Sequence, residues 1–138
     1  LRSSERERTA LLAARLPASM DGQVAELRAH GLVLLSDPVF VSRREHIVRS
    51  MNAMRLPAIY GFAEFADAGG LMSYGVNLGD QFRRGAHYVD RILKGASPGD
   101  LPIEQPKKFE FIINLKTAQA LGLIIPPSLL FQATEVIR

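Results

Sequence analysis

Leu32-Val33-Leu34-Leu35-Ser36-Asp37-Pro38 is the stretch that decides the fold. A strand with one face in water alternates apolar and polar residues. This one places four apolar residues in a row and then stops on Ser-Asp-Pro, the pattern of a strand buried on both faces in a parallel sheet. Parallel neighbours require crossover segments, and the sequence downstream supplies them.

Residues 41–54 have helical spacing, with Ile47, Met51 and Met54 on one side and Arg43, Arg44, Glu45 and Arg49 on the other. Residues 56–60 read as a short strand that tolerates Pro57 at its start. A brief helix over 63–68 closes at Gly69-Gly70, and 71–75 is the next strand. Residues 79–93 form the clearest amphipathic helix, with Phe82, Ala86, Val89 and Leu93 on one stripe and Gly95 as its stop. Residues 96–108 are a proline-containing connection. Residues 109–113 are a strand, Asn114 caps a helix over 115–121, and residues from Ser128 onward make a terminal helical piece. Upstream, 5–16 favours a helix ended by Pro17, 18–22 reads as a linker, and 23–30 as a second short helix. Alternating strands and helices predict an α/β fold with a mostly parallel sheet.

Bulk properties fit one globular domain. The chain has 138 residues, 47% hydrophobic and 22% charged, with a net charge of +3. Cations are mixed with acids along the chain, which argues for a solvated surface and against a nucleic-acid partner. The absence of cysteine excludes disulfides, thiol catalysis and Cys-ligated zinc. Residues 1–8 are too charged for a signal peptide. The chain does not begin with Met, and it reads as a piece of something longer.

In parallel α/β sheets ligands bind beyond the carboxyl ends of the strands. That rule selects Ser36, Asp37 and Phe40 after the first strand, Tyr60, Gly61 and Glu64 after the second, and Tyr74 and Asn77 after the third. A carboxylate for an amine, amide and backbone donors for a carboxylate, and a ring over apolar surface suit a small zwitterion. A plainer reading stands beside each: Asp37 and Asn77 as helix caps, Phe40 and Tyr60 as core aromatics, Glu64 as a solvated acid. His30, His46 and His87 lack metal-ligand spacing, and no phosphate loop or nucleophile elbow appears. We therefore expect no catalytic residue, no metal and no cofactor.

Leu34-Leu35-Ser36-Asp37-Pro38-Val39-Phe40, Arg55-Leu56-Pro57-Ala58-Ile59-Tyr60-Gly61-Phe62, Leu71-Met72-Ser73-Tyr74-Gly75, Tyr88-Val89-Asp90-Arg91-Ile92-Leu93-Lys94-Gly95, Leu101-Pro102-Ile103-Glu104-Gln105-Pro106 and the run 109–127 resemble, in order and spacing, the solute-binding proteins of tryptophan-import (TrpX-like) ABC transporters. The resemblance covers residue 32 onward. It implies a type I periplasmic binding protein fold, of which this chain is the truncated C-terminal part. Two α/β lobes then close on a small solute such as an aromatic or branched amino acid, for delivery to an ABC permease from a periplasmic or membrane-anchored site. In this scheme 1–22 is an unassigned helical segment and linker, and 23–138 the C-terminal part of the fold. Residues 32–70 and 109–138 form one lobe, while 76–100 packs on the absent N-terminal lobe. Helix 79–94 then exposes its stripe, a surface for self-association. Other readings are a ligand-sensing regulatory module of the same fold and a fragment without function of its own.

Overall fold

The structure, a computed structural model, describes residues 9–12 and 29–138. One six-stranded sheet follows chain order: β1 (Thr9–Leu12), β2 (Gly31–Leu34), β3 (Ala58–Tyr60), β4 (Met72–Val76), β5 (Phe109–Asn114) and β6 (Glu135–Ile137). Strands β1 to β4 are parallel, β5 is antiparallel to β4, and β6 is parallel to β5. The helices are α1 (Pro38–Ser42), α2 (Arg44–Ala53), α3 (Ala63–Asp67), α4 (Leu78–Leu93), α5 (Leu115–Leu121) and α6 (Pro127–Gln132). The α/β class with a mostly parallel sheet is as the sequence predicts.

Register shows how the core forms. Leu32 pairs with Ala58, Leu34 with Tyr60, Tyr60 with Ser73, and Ser73 with Ile112. Paired residues share a sheet face, and every one of these is buried. Ile47, Val48 and Met51 of α2 and Phe65 of α3 bury with them. Each such side chain contributes roughly 1.5–3 kcal/mol of transfer free energy. On the opposite face Val33, Ile59 and Met72 are only half-buried, and Leu35 is exposed. The four-residue apolar run is thus covered fully on one face, not on two.

A buried polar tie joins the sheet's antiparallel half to its parallel half. Asn114 caps α5 by accepting from the Thr117 backbone N–H (3.1 Å), and its Nδ2 donates to the Ala66 carbonyl (3.3 Å). The Gly69 carbonyl, just past α3, accepts from Thr117 Oγ1 (2.8 Å) and Asn52 Nδ2 (3.0 Å). Carbonyls at and just past the end of α3 thus accept from side chains of α2, β5 and α5.

Three sequence expectations are corrected. The helix expected over 5–16 is replaced over Thr9–Leu12 by β1, which pairs residue for residue with β2; edge pairing overrides the helix propensity of Ala and Leu. The rest of that segment, and 23–28 of the second expected helix, lie outside the described residues. The single helix expected over 41–54 is two helices. Arg43 leaves helical geometry (φ −112°, ψ 14°), and Ser42 Oγ donates to the Val39 carbonyl (2.7 Å) at the break. The break lets Phe40 and the Ile47/Met51 face both reach the core. The terminal helical piece stops at Gln132, after which the chain joins the sheet as β6. Thr134 precedes β6, its N–H donating to the Phe111 carbonyl (2.7 Å) and its hydroxyl accepting from Phe111 N–H (3.1 Å).

Tyr60 sits at the centre of the core, 1% exposed, its ring stacked 4.7 Å from that of Phe65. Its hydroxyl is buried without a hydrogen-bond partner, and desolvation raises its pKa well above the ordinary tyrosine value. The group's folded pKa exceeds its unfolded one. It therefore leaves stability intact below pH of about 10 and takes it away as pH rises beyond, by up to about 1.4 kcal/mol per unit. Urea melts at stepped pH should show this alkaline loss in the native chain and a shallower one in Tyr60→Phe. At pH 7 the variant should be as stable or more stable, because it removes an unpaired buried hydroxyl.

Candidate functional site

The carboxyl ends of β2, β3 and β4 meet at one rim of the sheet, where their backbones touch. Ser36 Oγ donates to the Gly61 carbonyl (3.3 Å), and the Gly61 N–H donates to the Leu34 carbonyl (3.1 Å). A Cβ on Gly61 would collide with Ser36, lying 2.9 Å from its backbone nitrogen. A Cβ on Gly75 would run into the Gly61 carbonyl oxygen. Glycine at 61 and 75 is what lets the three strand ends close up.

The residues selected from sequence divide into two groups. Ser36, Asp37, Gly61, Glu64, Tyr74 and Asn77 are exposed or half-buried around this rim. Phe40 and Tyr60 are not available to a solute: both side chains are buried in the core, so for these two the expectation of a ligand contact is corrected. Alternation turns Tyr60 inward beneath α3, while Phe40 seats α1 on the core.

Asp37 and Asn77 both do what a cap does. Asp37 Oδ1 accepts from the Val39 N–H (2.7 Å) and starts α1, where Pro38 occupies the first turn. Asn77 Oδ1 accepts from the Asp80 N–H (2.7 Å) and starts α4. Its Nδ2 also donates to Glu110 Oε1 (2.8 Å), which ties the start of α4 to β5. Capping leaves the second carboxylate oxygen of Asp37 able to accept further hydrogen bonds.

Sequence reasoning missed the aromatic partners of Tyr74. Its ring, 55% exposed, stacks on Phe109 (5.7 Å between centroids, 11° between planes) and meets Phe111 edge-on (6.2 Å, 75°). The antiparallel register of β4 and β5 creates this cluster by placing Tyr74 opposite Phe111 and Val76 opposite Phe109. No local sequence signal specifies a pairing across more than thirty residues. The result is an apolar, π-rich platform beside a polar rim, suited to an aromatic or planar apolar group.

Two surfaces flank the rim. On α4 the stripe Phe82, Ala86, Val89 and Leu93 faces solvent, with Phe82 and Leu93 about four-fifths exposed (78% and 82%). The helix buries no residue. Its adjacent face packs on the 98–106 segment through Arg84–Glu104 (2.7 Å) and Tyr88 Oη to the Pro102 carbonyl (2.6 Å), leaving a groove of about 460 Å³.

The sequence matches the model of the ABC transporter substrate binding protein family over residues 16–137. The chain belongs to that family. The match begins well before Leu32 and takes in the segment leading into β2. Similar solved structures include a conserved domain protein from Vibrio cholerae O1 biovar El Tor (27% identity, TM-score 0.79), which covers 86% of this chain and 40% of its own. Another is the ABC domain in complex with L-Trp from Streptococcus pneumonia (26%, TM-score 0.78, 87% of this chain and 41% of its own). A ligand-free, open substrate-binding protein with adhesive properties from Clostridium difficile shares the fold at 18% identity and TM-score 0.58, covering 88% of this chain and 41% of its own. The chain thus spans about two-fifths of the length of the structures it resembles. No curated protein matches the sequence.

Because the Gly61 carbonyl is backbone and cannot swing aside, Gly75→Ala should cost about 1–3 kcal/mol or force the strand ends apart. A urea denaturation midpoint would show the loss. Gly85→Ala, on the open surface of α4 with nothing within 4 Å of its Cβ position, should be neutral or stabilising by up to about 1 kcal/mol.

Proposed function

We propose that this chain is the C-terminal part of the solute-binding component of an ABC importer. It captures a small molecule, an amino acid with an aromatic side chain, in a cleft between two lobes, and it catalyses nothing. The observation that carries the reading is the rim at the ends of β2, β3 and β4. Support comes from Ser36 touching Gly61, Gly61 touching Gly75, and the exposed Tyr74 next to Gly75 stacking on Phe109, with Asp37, Glu64 and Asn77 on the segments that follow the same strand ends. Carboxylates suit an ammonium, the Ser36 hydroxyl and rim amides suit a carboxylate, and the platform suits an indole or phenyl ring. The L-Trp held by the Streptococcus pneumonia relative supports an amino-acid ligand here.

In this reading residues 32–70 and 109–138 belong to one lobe, and 76–100 reaches across to the other. The bare stripe of α4 belongs against that other lobe. Closure of the lobes on the solute is a population shift that a membrane permease senses, with the protein acting outside the cytoplasm.

A thermal melt of this chain, with and without each free amino acid, tests the site. A ligand that binds only the folded form adds about 2.7 kcal/mol at 100 times its dissociation constant. We expect tryptophan or another aromatic amino acid to raise the midpoint, and Tyr74→Ala to abolish the rise. A midpoint moved by no aromatic amino acid, or moved equally in Tyr74→Ala, counts against the aromatic platform.

The stripe has its own test. Light scattering after size exclusion should find this chain self-associated, and Phe82→Glu with Val89→Glu should return it to the monomer mass. A monomeric native chain would mean the stripe is not a contact surface for a second copy.

A further inference from the structure

Cations on this chain are treated in two ways. On α4, Arg83 and Arg84 are held by Asp80, Arg84 also by Glu104, and Lys94 by Asp90. Among the described residues no ion pair neutralises the cations along α2 and the turn beyond it. Arg43, Arg44, Arg49 and Arg55, with Lys116 of α5 alongside, line a run of shallow surface grooves. Glu45 and Arg49 belong to both the first and second of these grooves, and Asn52 to both the second and third, so the surface is continuous. Among the described residues lining it, Glu45 is the sole acid. None of these five cations is in a described ion pair. All but the half-buried Arg44 are exposed. The belt's charge exceeds the net +3 of the whole chain, so the remainder is close to neutral.

We propose that this belt is a docking surface for an anionic phospholipid bilayer. The inference goes beyond solute capture and is independent of the rim. Arg43 and Arg49 line the first of these grooves and Arg55 the third, so the cations are spread along the belt as an array for separate phosphates. Guanidinium groups bind phosphate oxygens through two parallel N–H donors each. Among the described residues lining the belt His46 is the one ring, with no Phe, Tyr or Trp beside it, and single-stranded nucleic acid needs a series of such rings to stack its bases. The helix connects parallel strands β2 and β3 and therefore runs antiparallel to them along the flank of the sheet. A bilayer seated there leaves the strand-end rim open to solute.

The test is vesicle flotation of the intact chain. Vesicles of phosphatidylcholine with about one-third phosphatidylglycerol should carry the protein, and pure phosphatidylcholine should not. Binding should fall steeply as salt rises from about 0.05 to about 0.5 M. At roughly fivefold per removed cation, Arg43→Gln/Arg49→Gln/Arg55→Asn should lower partitioning by well over tenfold. Asparagine suits position 55, where φ is +52°. A variant of equal net charge, Arg83→Gln/Arg91→Gln/Lys94→Gln on α4, should keep near-native binding, with circular dichroism confirming that both sets are folded. Equal recovery on the two vesicle types, or equal loss in the two variants, overturns the proposal. So does tighter, belt-dependent binding of a single-stranded oligonucleotide, which would assign the surface to nucleic acid.

Discussion

Three backbones meet with no side chain between them where Ser36, Gly61 and Gly75 stack, and the candidate site is built outward from that contact. A parallel sheet spaces its strands by hydrogen bonding, but the loops beyond the strands have no ladder to hold them together. Here a serine hydroxyl on a carbonyl and two glycines without Cβ atoms replace the ladder. The loops stay side by side, and the polar residues they carry face one solvent region instead of three.

The second half of the architecture hangs on Asn114. A buried amide at the junction of β5 and α5 must satisfy both its ends. It does so by capping α5 and by reaching the Ala66 carbonyl of α3. Thr117 and Asn52 finish the arrangement on Gly69. Without this tie the strand that reverses direction would be fixed to the parallel strands by its ladder alone. With it, β5 has a fixed height relative to β4, and that height stacks Phe109 on Tyr74. The core tie and the exposed aromatic platform are thus two ends of one register.

Much of this could be read from the residues. The apolar run 32–35 ending on Ser-Asp-Pro announced a parallel strand, and the stripe 82/86/89/93 announced α4 and its unpartnered face. Both are dense local patterns. The break at Arg43 was hidden because a side chain returning to its own backbone interrupts the helix without any proline or glycine to mark it. Strands β1 and β6 were hidden because they are short edge segments whose conformation is set by the neighbour they pair with. At the site, strand-end position found the rim residues. It could not tell inward from outward at Tyr60, because direction depends on where the alternation starts. Nor could it find Phe109 and Phe111, whose place beside Tyr74 is settled only when β4 and β5 choose their register.

The reversal of β5 has a mechanical meaning. The chain leaves the sheet along β4, makes α4 and the proline-bearing 98–106 segment, and returns along β5, so exit and return are adjacent antiparallel strands clasped by five residue pairs. The excursion is carried on a two-stranded ribbon, which bends readily across its flat face and resists shear along its length. Asn77 and Glu110 join the two legs where the ribbon ends, so torque applied to α4 reaches both legs together. Anything that grips α4 can therefore swing it as a lever about the strand-end rim, while the ladder keeps the excursion from sliding relative to the sheet.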